Sequence, residues 1–127
     1  MAKILIVDDS DILRLKLRTA LEEAKHEVVE GASGADGIKI ARADSGIELI
    51  ITDLNMPDVD GLAMCQEIRK LPNYANVPIF MLTTEKSANL KAQGKEIGVM
   101  LWIVKPFTPE RVTEAINKVM ERSKASA

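Results

Sequence analysis

Apolar residues fall along this chain in short unbroken runs, separated by longer stretches where they recur every three or four positions. The runs are Ile4-Leu5-Ile6-Val7, Leu49-Ile50-Ile51-Thr52, Val77 to Leu82 and Met100 to Val104. Uninterrupted, β-branched segments of this length predict strands buried on both faces. Glu27 to Glu30 predicts a shorter strand, with Gly31 to Gly34 as the turn after it. Between the runs, Leu13, Leu17, Ala20, Leu21 and Ala24 form the stripe of a first helix that Ser10 can cap. Ile38, Ile40 and Ala41 mark a second helix, and Leu62, Cys65, Ile68 and Arg69 phase a third over Leu62 to Lys70. A polar fourth helix over Ser87 to Glu96 has a weak apolar face, Leu90 and Ile97. Thr108-Pro109 open the fifth as N-cap and first helical residue, with Val112, Ala115, Ile116 and Val119 as its stripe.

The strand–helix unit therefore recurs five times without a shared motif, which favours a parallel sheet clothed by helices on both faces over a solenoid. A length of 127 residues, 46% of them hydrophobic and 28% charged, fits one globular domain with a real core. The domain is expected over residues 1–121, with 122–127 as a short polar tail that frays and no output domain. A net charge of -2 supplies no basic field for nucleic acid or an acidic membrane, and 3% aromatics leave no stacking platform for bases. Cys65 is the only cysteine; it cannot form an internal disulfide and is expected as a small buried hydrophobe. No apolar run reaches a membrane span, and a strand-like run follows directly after Met1, Ala2 and Lys3, so a cytoplasmic location without a signal peptide is expected.

Ligands of open parallel sheets gather beyond the carboxyl ends of the strands. Those positions hold Asp8-Asp9, Asp53, Thr83-Thr84 and Lys105. Three clustered carboxylates raise one another's pKa unless a cation joins them, and oxygen-only ligands suit Mg²⁺ before Ca²⁺. A lysine and a metal facing an open carboxylate make a cradle for a dianionic phosphoryl group, whose transfer depends mainly on positioning and charge neutralisation. Each residue also has a plainer reading. Asp8 and Asp9 fit a helix N-terminal charge pair, although Ser10 already caps; Asp53 alone fits a turn, Thr83 a strand end, Lys105 a solvated surface. His26, the only histidine, is expected at the surface between a helix and a strand. Asp58-Val59-Asp60-Gly61 superficially suggests a calcium loop, but counted from Asp53 the required glycine falls on Asp58.

Taken together, Asp8-Asp9, Asp53-Leu54-Asn55-Met56-Pro57 with Asp60-Gly61, Thr83, and Lys105-Pro106-Phe107 resemble the receiver domains of two-component response regulators, most closely those of the CheY chemotaxis type. The resemblance covers essentially the whole chain. It implies a flavodoxin-like (βα)5 three-layer sandwich with strand order 2-1-3-4-5. It also implies that Asp53 takes a phosphoryl group from a sensor histidine kinase. Asp8, Asp9, Asp53 and the Asn55 main-chain carbonyl would bind Mg²⁺. Lys105, through a peptide bond to Pro106 that is often cis in the family, would neutralise phosphoryl oxygens, and Thr83 would hydrogen-bond one of them. Trp102 stands where the family has its switch aromatic, usually Tyr or Phe, and its bulk is a departure. A core tryptophan is the alternative. Thr84 is a second departure, expected to narrow access to the site. Asn55 and Glu85 occupy the positions that tune self-dephosphorylation.

The implied protein is a monomeric binding module, switched by phosphorylation. Its downstream target would dock on helix four, strand five and helix five, where Lys91, Lys95, Trp102, Lys118 and Arg122 contribute. A phosphorelay intermediate or an adaptor would share the same chemistry. A Mg²⁺-dependent phosphatase with Asp53 as turnover nucleophile is disfavoured, because Asn55 stands where such enzymes want a general acid. A flavin-type cofactor binder is disfavoured because Asp8-Asp9 replace the Gly- and Ser/Thr-rich phosphate loop after the first strand.

Overall fold

The computed structural model describes residues 1–126, with side chains as far as Arg122. Ten elements alternate along the chain: β1 Lys3–Val7, α1 Asp11–Glu23, β2 Glu27–Gly31, α2 Gly34–Ala43, β3 Leu49–Asp53, α3 Gly61–Arg69, β4 Ile79–Thr83, α4 Ala88–Ile97, β5 Val99–Val104 and α5 Pro109–Ser126. The strands form one parallel sheet in the order β2-β1-β3-β4-β5, as expected for a flavodoxin-like sandwich. Parity along the strands divides the core in two. Leu5, Val7, Ile50, Ile79 and Met81 face α2, α3 and α4, where Ala41, Met64, Cys65 and Ile68 close the layer. Ile4, Ile6, Leu49, Ile51, Phe80 and Leu82 face α1 and α5, meeting Leu17, Leu21, Val112, Ile116 and Val119.

The helices start where the sequence supplies caps. Side chains of Ser10, Ser33, Asp60 and Ser87 accept from backbone N–H groups in the first turns of α1 to α4, and Thr108 Oγ accepts from Arg111 N at 3.2 Å at the start of α5. Several boundaries differ from the expected ones. Gly31 ends β2 in register with Val7, and Gly34 already belongs to α2, so the turn shortens to Ala32-Ser33. β4 begins at Ile79 and reaches Thr83, and β3 reaches Asp53. α5 continues as backbone to Ser126 because neither Gly nor Pro follows Glu121 to break it. The polar tail expected from 122 is therefore helical through 126.

His26 corrects a larger expectation. It is buried, not superficial: Ala2 N donates to its Nδ1 at 3.0 Å, and Nε2 lies 3.2 Å from Asn117 Oδ1 on α5. An Nδ1 that accepts leaves the proton on Nε2, which then donates to the Asn117 oxygen.

Candidate functional site

The register of the sheet brings the strand ends level. Val7 lies beside Thr52, Asp53 beside Leu82 and Thr83 beside Val104, so the residues that follow share one rim. Asp8 and Asp53 are buried, at 1% and 6% exposure, whereas Asp9 faces solvent. One carboxylate oxygen from each of the three lies within 4.8 Å of the others. Lys105 Nζ stands 3.3 Å from Asp53 Oδ1 and 3.9 Å from Asp8 Oδ2. Its backbone N donates to Thr83 O at 2.9 Å, and the Lys105–Pro106 peptide is cis.

Asp8 is held on three sides. Its N donates to Gly31 O at 3.2 Å, its O accepts from Arg14 Nη1 at 3.4 Å, and its Oδ1 accepts from Ser10 N at 2.8 Å. Oδ2 is buried with no hydrogen-bond partner. Burial pushes the Asp8 carboxyl above the usual carboxylate range; the Ser10 N–H opposes this, Asp53 adds to it, Lys105 opposes it and Asp9 adds again.

Asp53 owes its place to a close approach of backbone to backbone. Gly61 N donates to Leu54 O at 2.9 Å, and a Cβ on Gly61 would stand 2.3 Å from Asp53 O. Only glycine lets α3 begin that near Asp53. Asp60 caps the helix through a bond from Ala63 N at 2.8 Å, which fixes the β3–α3 loop carrying exposed Asn55. Asn55 Nδ2 points to Thr83 Oγ1 at 3.4 Å, and Glu85 N donates to the same oxygen at 3.0 Å. Thr83 is fully buried, and its neighbour Thr84 is exposed.

The kind of domain that carries this rim follows from its sequence: residues 4–117 match the model of the response regulator receiver domain. The chain belongs to that family. It is 33% identical over 119 residues to a chemotaxis protein CheY homolog of Campylobacter jejuni, covering 93% of this chain and 92% of that protein. It is 36% identical to a probable transcriptional regulator ycf27 of Porphyridium aerugineum, of whose length it spans about half, 51%. Among solved structures, chemotaxis protein CheY4 of Vibrio cholerae superposes with a TM-score of 0.88 at 38% identity, covering 94% of this chain and 98% of that one.

Within this receiver domain the structure gathers Asp8, Asp9, Asp53, Asn55, Thr83, Glu85 and Lys105 at one rim, and Trp102 reaches that rim only through Glu85. Trp102 is half-buried against the α2–α4 side of the core, and its Nε1 donates to Glu85 O at 2.8 Å. Gly94 on α4 makes the room, since a Cβ there would stand 3.1 Å from the indole ring. Ile103 points to the opposite core, as the strand parity required. Cys65 is buried as expected, and burial pushes its thiol up to about 12, which leaves it unreactive.

Two arginines, one beside the site and one at the opposite end of the sheet, went unmarked in the sequence. Arg14 reaches back from α1 to the Asp8 carbonyl; its place one turn into a helix that follows the acidic pair was the available signal. Arg69, assigned only to a helix stripe, clamps four carbonyls: Nε to Ile97 O at 2.9 Å, Nη1 to Tyr74 O at 2.8 Å and Val77 O at 2.6 Å, and Nη2 to Gly98 O at 3.1 Å. No sequence pattern announced those acceptors.

Proposed function

We propose that this receiver domain accepts a phosphoryl group on Asp53 from the phosphohistidine of a sensor histidine kinase, with Mg²⁺ bound, and thereby changes its affinity for a downstream protein in chemotaxis signalling. The observation that carries the reading is the convergence of Lys105 Nζ, 3.3 Å from Asp53 Oδ1, with the buried Asp8 Oδ2, which has no hydrogen-bond partner and lies 3.9 Å from the same Nζ. One lysine leaves three clustered carboxylates short of positive charge, and an all-oxygen donor set fits a hard divalent cation. Asp8, Asp9 and Asp53 would hold it, with the Asn55 carbonyl as a further oxygen. Bound there, Mg²⁺ would supply the positive charge that offsets the oxygens of the transferring group.

Asp53 supplies the nucleophile. One of its oxygens bonds to phosphorus as the phosphorus–nitrogen bond of the donor breaks, its electron pair returns to the imidazole, and an acyl phosphate results. Lys105 neutralises an oxygen of the arriving group. Thr83 Oγ1 accepts two hydrogen bonds and so retains its own proton to donate toward the phosphoryl group. If Thr83 moves to do this, the Glu85 N–H loses its acceptor while Glu85 O stays tied to the Trp102 indole. Displacement at Thr83 would therefore reach the β4–α4 loop, with Trp102 as the switch residue. Asn55 and Glu85 flank that path and tune how long the acyl phosphate lasts.

The downstream protein would dock on α4, β5 and α5. Lys91, Lys95 and Lys118 are exposed there, and Met100 and Leu101, at 52% and 36% exposure, line a groove of about 450 Å³ between β5 and α5. No helix among the described residues is long and apolar enough to cross a membrane, and we place the monomeric protein in the cytoplasm with its kinase. A receiver domain is a phosphorylated partner rather than a turnover enzyme, and Asn55 stands where an aspartyl phosphatase would need an acid.

Incubation with acetyl phosphate and Mg²⁺, followed by intact-mass analysis, tests the chemistry: the wild type gains one phosphoryl adduct and Asp53→Asn gains none. A wild type that stays unmodified across donor and metal concentrations would sink the reading. A lysate pull-down comparing beryllofluoride-treated protein with Asp53→Asn tests the output. Capture of a flagellar-motor component only by the treated protein supports chemotaxis, and capture of a histidine phosphotransfer protein or another kinase instead moves the assignment to a relay or adaptor.

A further inference from the structure

We propose that Arg14 is a positioning residue for the cation site: it fixes the peptide between Asp8 and Asp9 and thereby aims both carboxylates at Asp53. The inference rests on the Mg²⁺ reading above. Arg14 sits one turn into α1, and helical side chains lean toward the N-terminus, which carries its guanidinium over the β1–α1 loop. The side chain is only 12% exposed, so the fork has one environment rather than many. Nη1 donates to Asp8 O at 3.4 Å, Nη2 bonds the Asp11 carboxylate, and Nε faces Glu30 Oε1 on β2 at 3.5 Å. Arg14 N also donates to Ser10 O at 3.1 Å. One side chain thus ties the Asp8 carbonyl to the start of α1 and to the neighbouring strand.

The effect shows in how Asp8 is held. Gly31 takes its N–H, Arg14 its carbonyl and the Ser10 N–H its Oδ1, and the remaining oxygen, Oδ2, is left facing the rim. Removing the guanidinium releases one of those three restraints, at the carbonyl from which the chain turns to Asp9. Asp9 is exposed and none of its own side-chain bonds fixes it, so its direction depends on that peptide. A rigid fork suits the task better than an ammonium, because its two hydrogen bonds, to the Asp8 carbonyl and the Asp11 carboxylate, and its ion pair with Glu30 reach three different segments.

Arg18 is the control that separates positioning from plain cross-linking. It pairs with Glu30 at 2.5 Å and Glu22 at 3.3 Å, which joins the same helix to the same strand without touching Asp8 or Ser10. Calorimetric titration of the metal-stripped full chain with Mg²⁺ reads the difference. Arg14→Ala is expected to weaken Mg²⁺ binding roughly tenfold while Arg18→Ala stays within about twofold of wild type. Arg14→Lys keeps the charge and most of the stem, guards against loss of folding, and is expected to lose about threefold. Thermal unfolding without metal should place Arg14→Ala and Arg18→Ala close together, so that only affinity for the ion parts them. Equal loss of affinity in both, or wild-type affinity in Arg14→Ala and Arg14→Lys, overturns the positioning role and leaves the Mg²⁺ site standing. A wild type that binds no Mg²⁺ overturns the functional reading and this inference with it.

Discussion

At the amino ends of the strands, charge and hydrogen bonding are settled. Lys3 pairs with Asp44 and Glu27, Lys3 N donates to Glu48, His26 is engaged through both ring nitrogens, and Arg69 saturates itself on four carbonyls. At the carboxyl ends, three carboxylates face one another with a single lysine between two of them, and one buried oxygen has no hydrogen-bond partner. The same sheet supports both ends, so the difference lies in the residues that terminate it. Stability concentrates where polar groups satisfy one another; the capacity to bind concentrates where they do not.

That contrast can be broken most completely at Asp53. Asp53→Asn removes one of the three like charges, and the expected outcome is total loss of the phosphoryl adduct with a folded protein that unfolds no earlier than wild type on heating. Next in size comes the opposite end. Arg69→Ala strips four carbonyls of their donor at the junction of α3 with α4 and β5, and is expected to cost about 2–4 kcal/mol in denaturant unfolding, with phosphorylation kept while the chain stays folded. His26→Leu fills similar space but leaves the Ala2 N–H and the Asn117 oxygen unpaired, for an expected loss of about 1–2 kcal/mol by the same measurement.

The smallest effect has the opposite sign. Burial raises the Asp8 carboxyl above its unfolded value, so the fold favours the protonated form, and its charge at neutral pH works against the metal-free native state. Asp8→Asn is therefore expected to stabilise the metal-free protein at neutral pH by about 1 kcal/mol. The gain should shrink as pH falls through the raised Asp8 pKa, because the wild-type side chain then becomes neutral as well. Thermal melts across that range check the sign. A destabilised Asp8→Asn at neutral pH would show that the rim is not under the charge stress described here.

The sequence exposed the site well because its signals are local and periodic. Unbroken strand runs locate strand ends, an open parallel sheet collects chemistry at its carboxyl edge, and Asp8, Asp9, Asp53, Thr83 and Lys105 follow directly. Caps did the same for the helix starts at Ser10 and Thr108. What stayed hidden depends on partners distant in the chain or lacking side-chain identity. His26 is buried by residues 24 and 91 positions away, and no window around it carries that information. Arg69 and Arg14 both act on backbone carbonyls, which every residue possesses, so composition cannot distinguish a clamp from a solvated arginine. The room for Trp102 comes from Gly94 on another element, and a glycine inside a helix pattern signals only a small destabilisation by itself.

The Trp102 ring has a further use that its packing provides without design. It is the only tryptophan in the chain, it is half-buried against Gly94, and its indole nitrogen is bonded to the carbonyl of Glu85. Emission excited in the indole band therefore comes from one position, with no background to subtract. Breaking the bond to Glu85 or opening the ring to water changes the wavelength and yield of that emission. The unlabelled protein thus carries its own reporter for any rearrangement at the β4–α4 loop.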